Sequence, residues 1–374
     1  MIKPNVAPDM LPLVWRRKQQ SPSTHILQLP VELILCISDF LDPSDRVLFS
    51  MACNSLRLIL KKYITKLSRT EYLSYLTAYA RDKHEWVCEK CMGLHPMEPL
   101  DTPAAESDKS SCPHRSPWLR WDTRLWYNQI RLDHRHIQLS LKLTRLQTDD
   151  AYVQALLAPY HDEDFDYRAN AQVKIFYSAY PKIVSHNGNL TFLLLSTWQF
   201  LKMKGEGTLS YHDLRYLPIC PHVAISPLHM SCPNEPNYEL QGALKKVFET
   251  QGNKQEHTGA CLYCATDFSV QLKSPQVLDL HVWQNLGPEG SPRDLAWEAH
   301  CVGFGLDGVP NSWGWDRTLY HEQGAIRELY EEGHHDHPGC QQPTIGVQED
   351  FYSCQSTLLK PLSYSECELP FSVD

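Results

Sequence analysis

Between Thr24 and Leu67 three short apolar runs follow one another, separated by proline and aspartate breaks, and this stretch constrains the fold more than any other. It opens Leu29-Pro30-Val31-Glu32-Leu33-Ile34-Leu35-Cys36-Ile37, passes through Phe40-Leu41-Asp42-Pro43, and continues into two further runs. Pro30 suits the first position of a helix, where its missing N–H costs nothing, and Glu32 complements the positive end of that helix. Leu33, Ile34, Ile37 and Leu41 then recur at helical spacing as an apolar stripe. Asp42-Pro43 ends this helix and starts another, with Asp42 expected to cap it and Asp45 in its first turn. Val47, Leu48 and Met51 line the second helix; Ile59, Leu60, Tyr63 and Ile64 line a third. Three helices of this size bury too little surface to stand alone. Their excess leucine and isoleucine needs an outside surface.

The Leu-Pro-x-Glu-Leu start, the isoleucine a turn later and the Phe-Leu-Asp-Pro break resemble an F-box. The resemblance implies docking on a Skp-type adaptor, which links the chain to a cullin scaffold and a ubiquitin-conjugating enzyme. Leu29, Pro30, Leu33, Ile34, Ile37 and Leu41 are then the expected contact residues. One departure stands out: many F-boxes carry a tryptophan in the third helix, and none lies between Asn54 and Leu67.

The 13 cysteines raise a second question. A secreted disulfide scaffold is a much shorter chain, and several of these cysteines form close pairs near histidines. In a reducing compartment such clusters read as metal ligands. Cys88-Glu89-Lys90-Cys91 is followed by Cys112-Pro113-His114; further on, Cys220-Pro221-His222 precedes Cys261-Leu262-Tyr263-Cys264. Each set offers three sulfurs and one imidazole, a composition that zinc accepts in closed tetrahedral sites. A two-residue gap lets a tight knuckle aim both thiolates at one ion. Local pairing gives one ion per set, although Cys88 and Cys91 could also meet Cys220 and His222 across the fold. His95 in Leu94-His95-Pro96 competes with His114 as the fourth ligand of the first set. Closed four-ligand sites leave no open position, so both are expected to be structural. Buried, reduced cysteines packing as small apolar residues are the plainer alternative.

With these motifs the resemblance widens. A Cys-x-x-Cys with Leu-His-Pro soon after an F-box, a later Cys-Pro-His, then Cys-x-x-Cys with Thr266-Asp267-Phe268 and Trp283-Gln284-Asn285-Leu286-Gly287, is similar to a large family of fungal F-box proteins. That likeness runs from about Leu29 to Leu329 and implies no particular substrate.

Elsewhere the patterns are local. Ser68 and Glu71 form a capping box before a helix carrying Leu73, Leu76 and Ala80. Ile137, Leu139, Leu141 and Leu143 alternate, which favours a strand, although a helix also fits. Asp149-Asp150 starts a short helix that Pro159 stops. Val173, Ile175 and Tyr177 alternate, Asn187-Gly188 supplies a turn, and Leu190, Phe192, Leu194 and Trp198 return as a hairpin. Strands are expected over 265–272 and 277–285, a strand or helix over 295–302, and a helix over 323–332. The fold class is therefore α+β: an N-terminal three-helix F-box, then a zinc-braced mixed body with an antiparallel sheet. Residues 1–23 read as a flexible leader, 24–67 as the F-box, 68–337 as a substrate-recognition body with two zinc sites, and 338–374 as an irregular tail.

The net charge of −9, without long runs of one sign, argues against a nucleic-acid-binding face. Met1–Gln20 is broken by prolines and reads as neither signal peptide nor membrane span, and no apolar run is long enough to cross a bilayer. A cytoplasmic or nuclear location is expected. No phosphate loop, nucleophile elbow or zinc-protease helix is present in the sequence. His334-His335-Asp336-His337 with Cys340 reads as a polar turn, Trp313-Gly314-Trp315-Asp316 as aromatics over a satellite core, and Asp162-Glu163-Asp164 as a solvated patch. The expectation is a non-catalytic substrate receptor of a Skp–cullin–F-box ubiquitin ligase with an unknown protein substrate. An adaptor-binding scaffold outside a ligase is the alternative, and a metalloenzyme with an exchangeable site a third reading.

Overall fold

The computed structural model describes residues 25–62, 67–103, 112, 132–148, 150–162, 172–186, 188–203, 207–225, 238–250, 255–301 and 318–333. The chain divides into two units, Met1–Tyr75 and Leu76–Asp374.

In the first unit a 3-10 turn, His25–Gln28, leads into α1 (Val31–Asp39), α2 (Pro43–Met51) and α3 (Asn54–Leu60). Pro30 is the cap residue of α1, one place before the expected position, a shift within the ordinary uncertainty of helix ends. Asp42 sits at the N-cap of α2, but its carboxylate makes no capping bond and stays in water. Arg46 secures that corner instead. Its guanidinium donates to the carbonyls of Ser38 (3.0 Å) and Leu41 (3.4 Å) at the end of α1, where Ser38 O also accepts from Leu41 N–H (3.1 Å). Cys53 Sγ accepts from Leu56 N–H at 3.5 Å and caps α3. Ile34, Leu56 and Leu60 are the buried apolar centre. Tyr63 and Ile64 lie outside the described residues.

The capping box before α4 (Arg69–Tyr79) forms as expected. Ser68 N–H donates to the Glu71 carboxylate at 2.6 Å, and Glu71 N–H donates to Ser68 Oγ at 3.3 Å.

The second unit is built on a six-stranded antiparallel sheet: β3 (Tyr160–Asp162), β4 (Val173–His186), β5 (Asn189–Lys202), β8 (His257–Ala260), β9 (Thr266–Ser274) and β10 (Val277–Pro288). Their order across the sheet is β3-β4-β5-β10-β9-β8. Two small antiparallel ribbons stand apart from it, β1 (Glu85–Cys88) with β2 (Gly93–Pro96), and β6 (Leu217–Pro218) with β7 (Ala224–Ile225). The expected hairpin is β4–β5, turned by Gly188 at φ 77, a left-handed conformation that favours glycine. The expected strands over 265–272 and 277–285 are β9 and β10.

Strand alternation divides the sheet into two faces. Leu278, Leu280 and Val282 join Tyr177, Trp198, Phe200 and Phe268 in the main core, with Leu240, Leu244 and Val247 of α7 (Tyr238–Glu249). Trp283 points the other way and packs with Ile326 of α9 (Ala325–Glu332), the late helix expected from the sequence.

The alternating leucines at 137–143 form a helix, not the strand their pattern favours. They lie in α5 (His134–Leu146), in which nine residues are buried. Ile137 and Leu141 face the main core; Leu139 and Leu143 face a smaller cluster with Trp86, Cys88, Cys112, Tyr152 and Leu156. Two stripes at i, i+4 spacing on opposite sides of one buried helix read, in sequence, as strand alternation. Asp150–Leu156 is the short helix α6, and Leu295–Glu298 is a single helical turn, α8. The architecture is α+β with antiparallel sheets. Among the described residues, no helix is long and apolar enough to cross a membrane.

Candidate functional site

On α1 the apolar residues separate by side. Leu33 (49% exposed), Ile37 (37%) and Phe40 (92%) share one stripe at i, i+4 and i+7 spacing and are open to solvent. Val31 is also exposed, and Leu58 on α3 is 74% exposed. Of the six expected contact residues, Pro30, Leu33 and Ile37 are exposed, and Leu29 and Leu41 are half-buried. Ile34 is a correction. At 1% exposure it belongs to the interior with Leu56 and Leu60, because it lies about a quarter of a turn away from the open stripe. Phe40 was legible in the sequence as the next member after Leu33 and Ile37, but its place at the helix break drew it into the turn motif.

The first metal-ligand set assembles on the β1–β2 ribbon. The ladder pairs Cys88 with Gly93 and Trp86 with His95, so the knuckle 89–92 lies at the ribbon's tip. Cys88, Cys91, His95 and Cys112 place one ligand atom each within 4.8 Å of one another. His95, the competitor of His114, therefore completes this set; His114 lies outside the described residues. Cys88 Sγ and Cys112 Sγ are 3.7 Å apart, and Cys91 Sγ is 3.0 Å from His95 Nε2. A disulfide would need about 2.05 Å. Two thiolates on one tetrahedral zinc, with bonds near 2.3 Å, stand about 3.8 Å apart. The 3.7 Å sulfur–sulfur edge fits the second geometry, and the four ligand atoms together span up to 4.8 Å, somewhat wider.

The ribbon is held from outside by α5. The Gln138 amide pairs with the Val87 backbone as a neighbouring strand would, accepting from its N–H (3.1 Å) and donating to its carbonyl (3.4 Å). Lys142 Nζ donates to the carbonyls of Ala80 (2.8 Å) and Glu85 (2.6 Å). Arg293 bridges Glu89 in the knuckle to Glu298 on α8. Burial, with the Cys88 and Cys112 thiols alongside, pushes the Cys91 thiol up to about 12, and burial raises Cys88 too. A divalent cation supplies the charge that reverses this cost.

The second set assembles where two hairpins meet. Ile219 N–H donates to Val223 O at 2.8 Å and closes the β6–β7 turn that carries Cys220 and His222. Cys261 and Cys264 form the knuckle joining β8 to β9, closed by Cys261 N–H to Thr266 O at 2.8 Å. All four side chains are buried, and their ligand atoms also lie within 4.8 Å of one another. His222 Nδ1 is 3.6 Å from Cys261 Sγ, again the edge expected of a zinc tetrahedron. Burial raises the Cys220 and Cys264 thiols. Cys261 is buried as well, but hydrogen bonds from Cys220, Cys264 and His222 overcome that and hold it well below the usual thiol range. Outside the ligands, Cys264 Sγ lies 3.2 Å from Thr266 Oγ1, which lies 3.2 Å from His300 Nε2. Burial pushes the His300 imidazole down to about 4. The halves thus pair locally, one set per site, and not across the fold.

Residues 26–67 match the F-box domain. This chain carries an F-box domain. F-box domains generally bind Skp-type adaptors, and the matched segment contains the whole exposed stripe of α1 together with Leu58. Comparison with curated proteins and with solved structures returns no match.

In the body of the F-box protein the short motifs beyond the cysteines have structural tasks. Asp267, at 2% exposure, accepts hydrogen bonds from the N–H groups of Gly324 (3.1 Å), Ile326 (2.8 Å) and Arg327 (3.1 Å) and from His321 Nε2 (3.1 Å). It caps α9 from a strand 57 to 60 residues earlier. Gln284 Nε2 donates to Ile219 O at 3.3 Å and ties the sheet to the turn of the second cluster. Gly287, at φ 96, sits at a register shift in β10, where a Cβ would meet Ala296 Cβ at 2.7 Å. The His334–His337 group, Cys340 and the Trp313–Asp316 turn lie outside the described residues, as do Glu163 and Asp164.

Proposed function

We propose that this F-box protein is the substrate-receptor subunit of a Skp–cullin–F-box ubiquitin ligase, acting in the cytoplasm or nucleus. The observation that carries the reading is the solvent-facing stripe Leu33, Ile37 and Phe40 within the matched domain. Burying such a stripe on an adaptor removes apolar area from water at about 25 cal/mol per Å². The chain itself does no chemistry: it holds a protein substrate near a conjugating enzyme, and the acceleration is one of proximity.

Zinc in both clusters braces the body. Cys88, Cys91, His95 and Cys112 would hold one ion, and Cys220, His222, Cys261 and Cys264 the other; the donor sets and the 3.6–3.7 Å edges fit it. Bound there, zinc supplies folding energy on the order of 10 kcal/mol per structural site.

Affinity capture of the adaptor from cells expressing the full chain tests the role. Ile37→Asp and Phe40→Asp should each abolish recovery of adaptor and cullin, while Glu32→Gln, exposed but polar, should keep both. Undiminished adaptor recovery with Phe40→Asp would sink the docking face. Adaptor recovered without cullin would turn the reading to a scaffold outside a ligase.

A further inference from the structure

The two clusters share a donor set but not a setting. The sulfurs of the second belong to the main core, and every ligand side chain there is buried. Cys261 Sγ further accepts Tyr263 N–H at 3.4 Å, and the Tyr263 ring lies over His222 with centroids 5.3 Å apart, closing that knuckle. The first cluster sits at the tip of a two-stranded ribbon, in the smaller core, and Cys91 is partly open to solvent. Three of its ligands lie within eight residues, whereas Cys112 arrives from a separate stretch.

We propose that the first cluster is a peroxide-sensitive zinc site and that the second keeps its ion as long as the body is folded; the proposal rests on zinc filling both. Access decides the difference, because a thiolate reacts only where an oxidant can reach it. Cys91 Sγ attacks one peroxide oxygen, the O–O bond breaks, and hydroxide leaves and takes a proton to become water. The sulfenic acid so formed is attacked by the Cys88 or Cys112 thiolate, all ligand atoms lying within 4.8 Å, and a second hydroxide leaves as water. Two sulfurs lose one electron each, one peroxide becomes two waters, and the set falls to two ligands, too few to hold the ion. A Cys88–Cys91 disulfide takes both ribbon sulfurs from the ion and leaves Cys112 untied, whereas a Cys91–Cys112 disulfide locks Cys112 to the ribbon without metal. A reducing thiol and added zinc restore the site.

The test uses the full chain, purified with its metal and counted for zinc, then titrated with hydrogen peroxide beside a chromogenic zinc chelator. The expected result is release of one of two equivalents, with a disulfide mapped within Cys88, Cys91 and Cys112 and free thiols at Cys220, Cys261 and Cys264. Cys91→His keeps four ligands and removes the exposed thiol, so its two equivalents should both survive the same peroxide. Two equivalents lost together, or one lost from the second set, overturn the proposal while leaving the zinc reading intact. A folded chain purified with fewer than two equivalents overturns the zinc reading, and this proposal with it.

Discussion

Single residues decide which partner completes each cluster. His95 reaches the first set because the ribbon ladder places it across from Trp86, with the rings 4.8 Å apart, and so on the side of the knuckle where the sulfurs converge. His95→Ala should therefore halve the zinc bound per chain, from two equivalents to one, whereas His114→Ala should leave it at two. Metal analysis of the purified variants checks this, and a loss in the His114 variant alone would reverse the assignment. On the helical stripe a comparable division holds: Ile34 and Ile37 are three residues apart, yet one lies in the interior and the other faces water. Their neighbours, more than their own chemistry, assign the roles.

Elements are held by polar groups that come from far along the chain. The N-terminal N–H groups of α9 meet the Asp267 carboxylate, and the Arg327 guanidinium lies over the Trp283 ring at 4.9 Å. A carboxylate at a helix N-terminus is favoured by charge, and without it these buried donors lose their partner. Asp267→Ala should cost on the order of 3 kcal/mol, the upper range for stranded buried donors, and lower the urea midpoint of the body. Trp283 fluorescence should shift toward that of a solvated ring as α9 detaches. An unchanged midpoint would mean that the other contacts of the helix, Ile326, Tyr330 and Arg327 among them, hold it without the carboxylate. The same logic explains α5. Its buried Gln138 and Lys142 would be costly in an apolar setting, but both are spent on backbone groups of the β1–β2 ribbon and of the end of α4.

At the scale of the whole body, stability should depend on pH through Asp101. Burial pushes its carboxyl up, but hydrogen bonds from His136 and Arg135 and the charge of Arg135 outweigh this and hold it far below the usual range. The Arg135 contacts are 2.6 and 2.9 Å, and the His136 contact is 3.2 Å. A carboxylate depressed in the folded state stabilises it fully above the unfolded value near 4 and loses that contribution as pH falls below it. Between pH 6 and pH 3 the body should therefore lose stability, and the loss should be smaller in Asp101→Asn, which has no proton to gain. Urea midpoints of the two chains at both pH values give the comparison, and equal slopes would refute the linkage. Zinc bound at the proposed sites would be lost to acid from both chains alike, which is why the difference between them is the informative quantity.

What the sequence determined by itself is short-ranged. The helix breaks at Pro30 and Asp42-Pro43, the Ser68–Glu71 box, the Asn187-Gly188 hairpin and both Cys-x-x-Cys knuckles are each complete within a few residues, so spacing alone specifies them. Only the tertiary structure decided that the leucines of 137–143 form a helix, that Ile34 is interior, that His95 joins the first cluster, and that Asp267 caps α9. Each of these depends on what arrives from a distant part of the chain: a second buried side for the helix, a ribbon register for the histidine, a strand end for the cap. Periodicity records which residues avoid water, but not how many surfaces receive them.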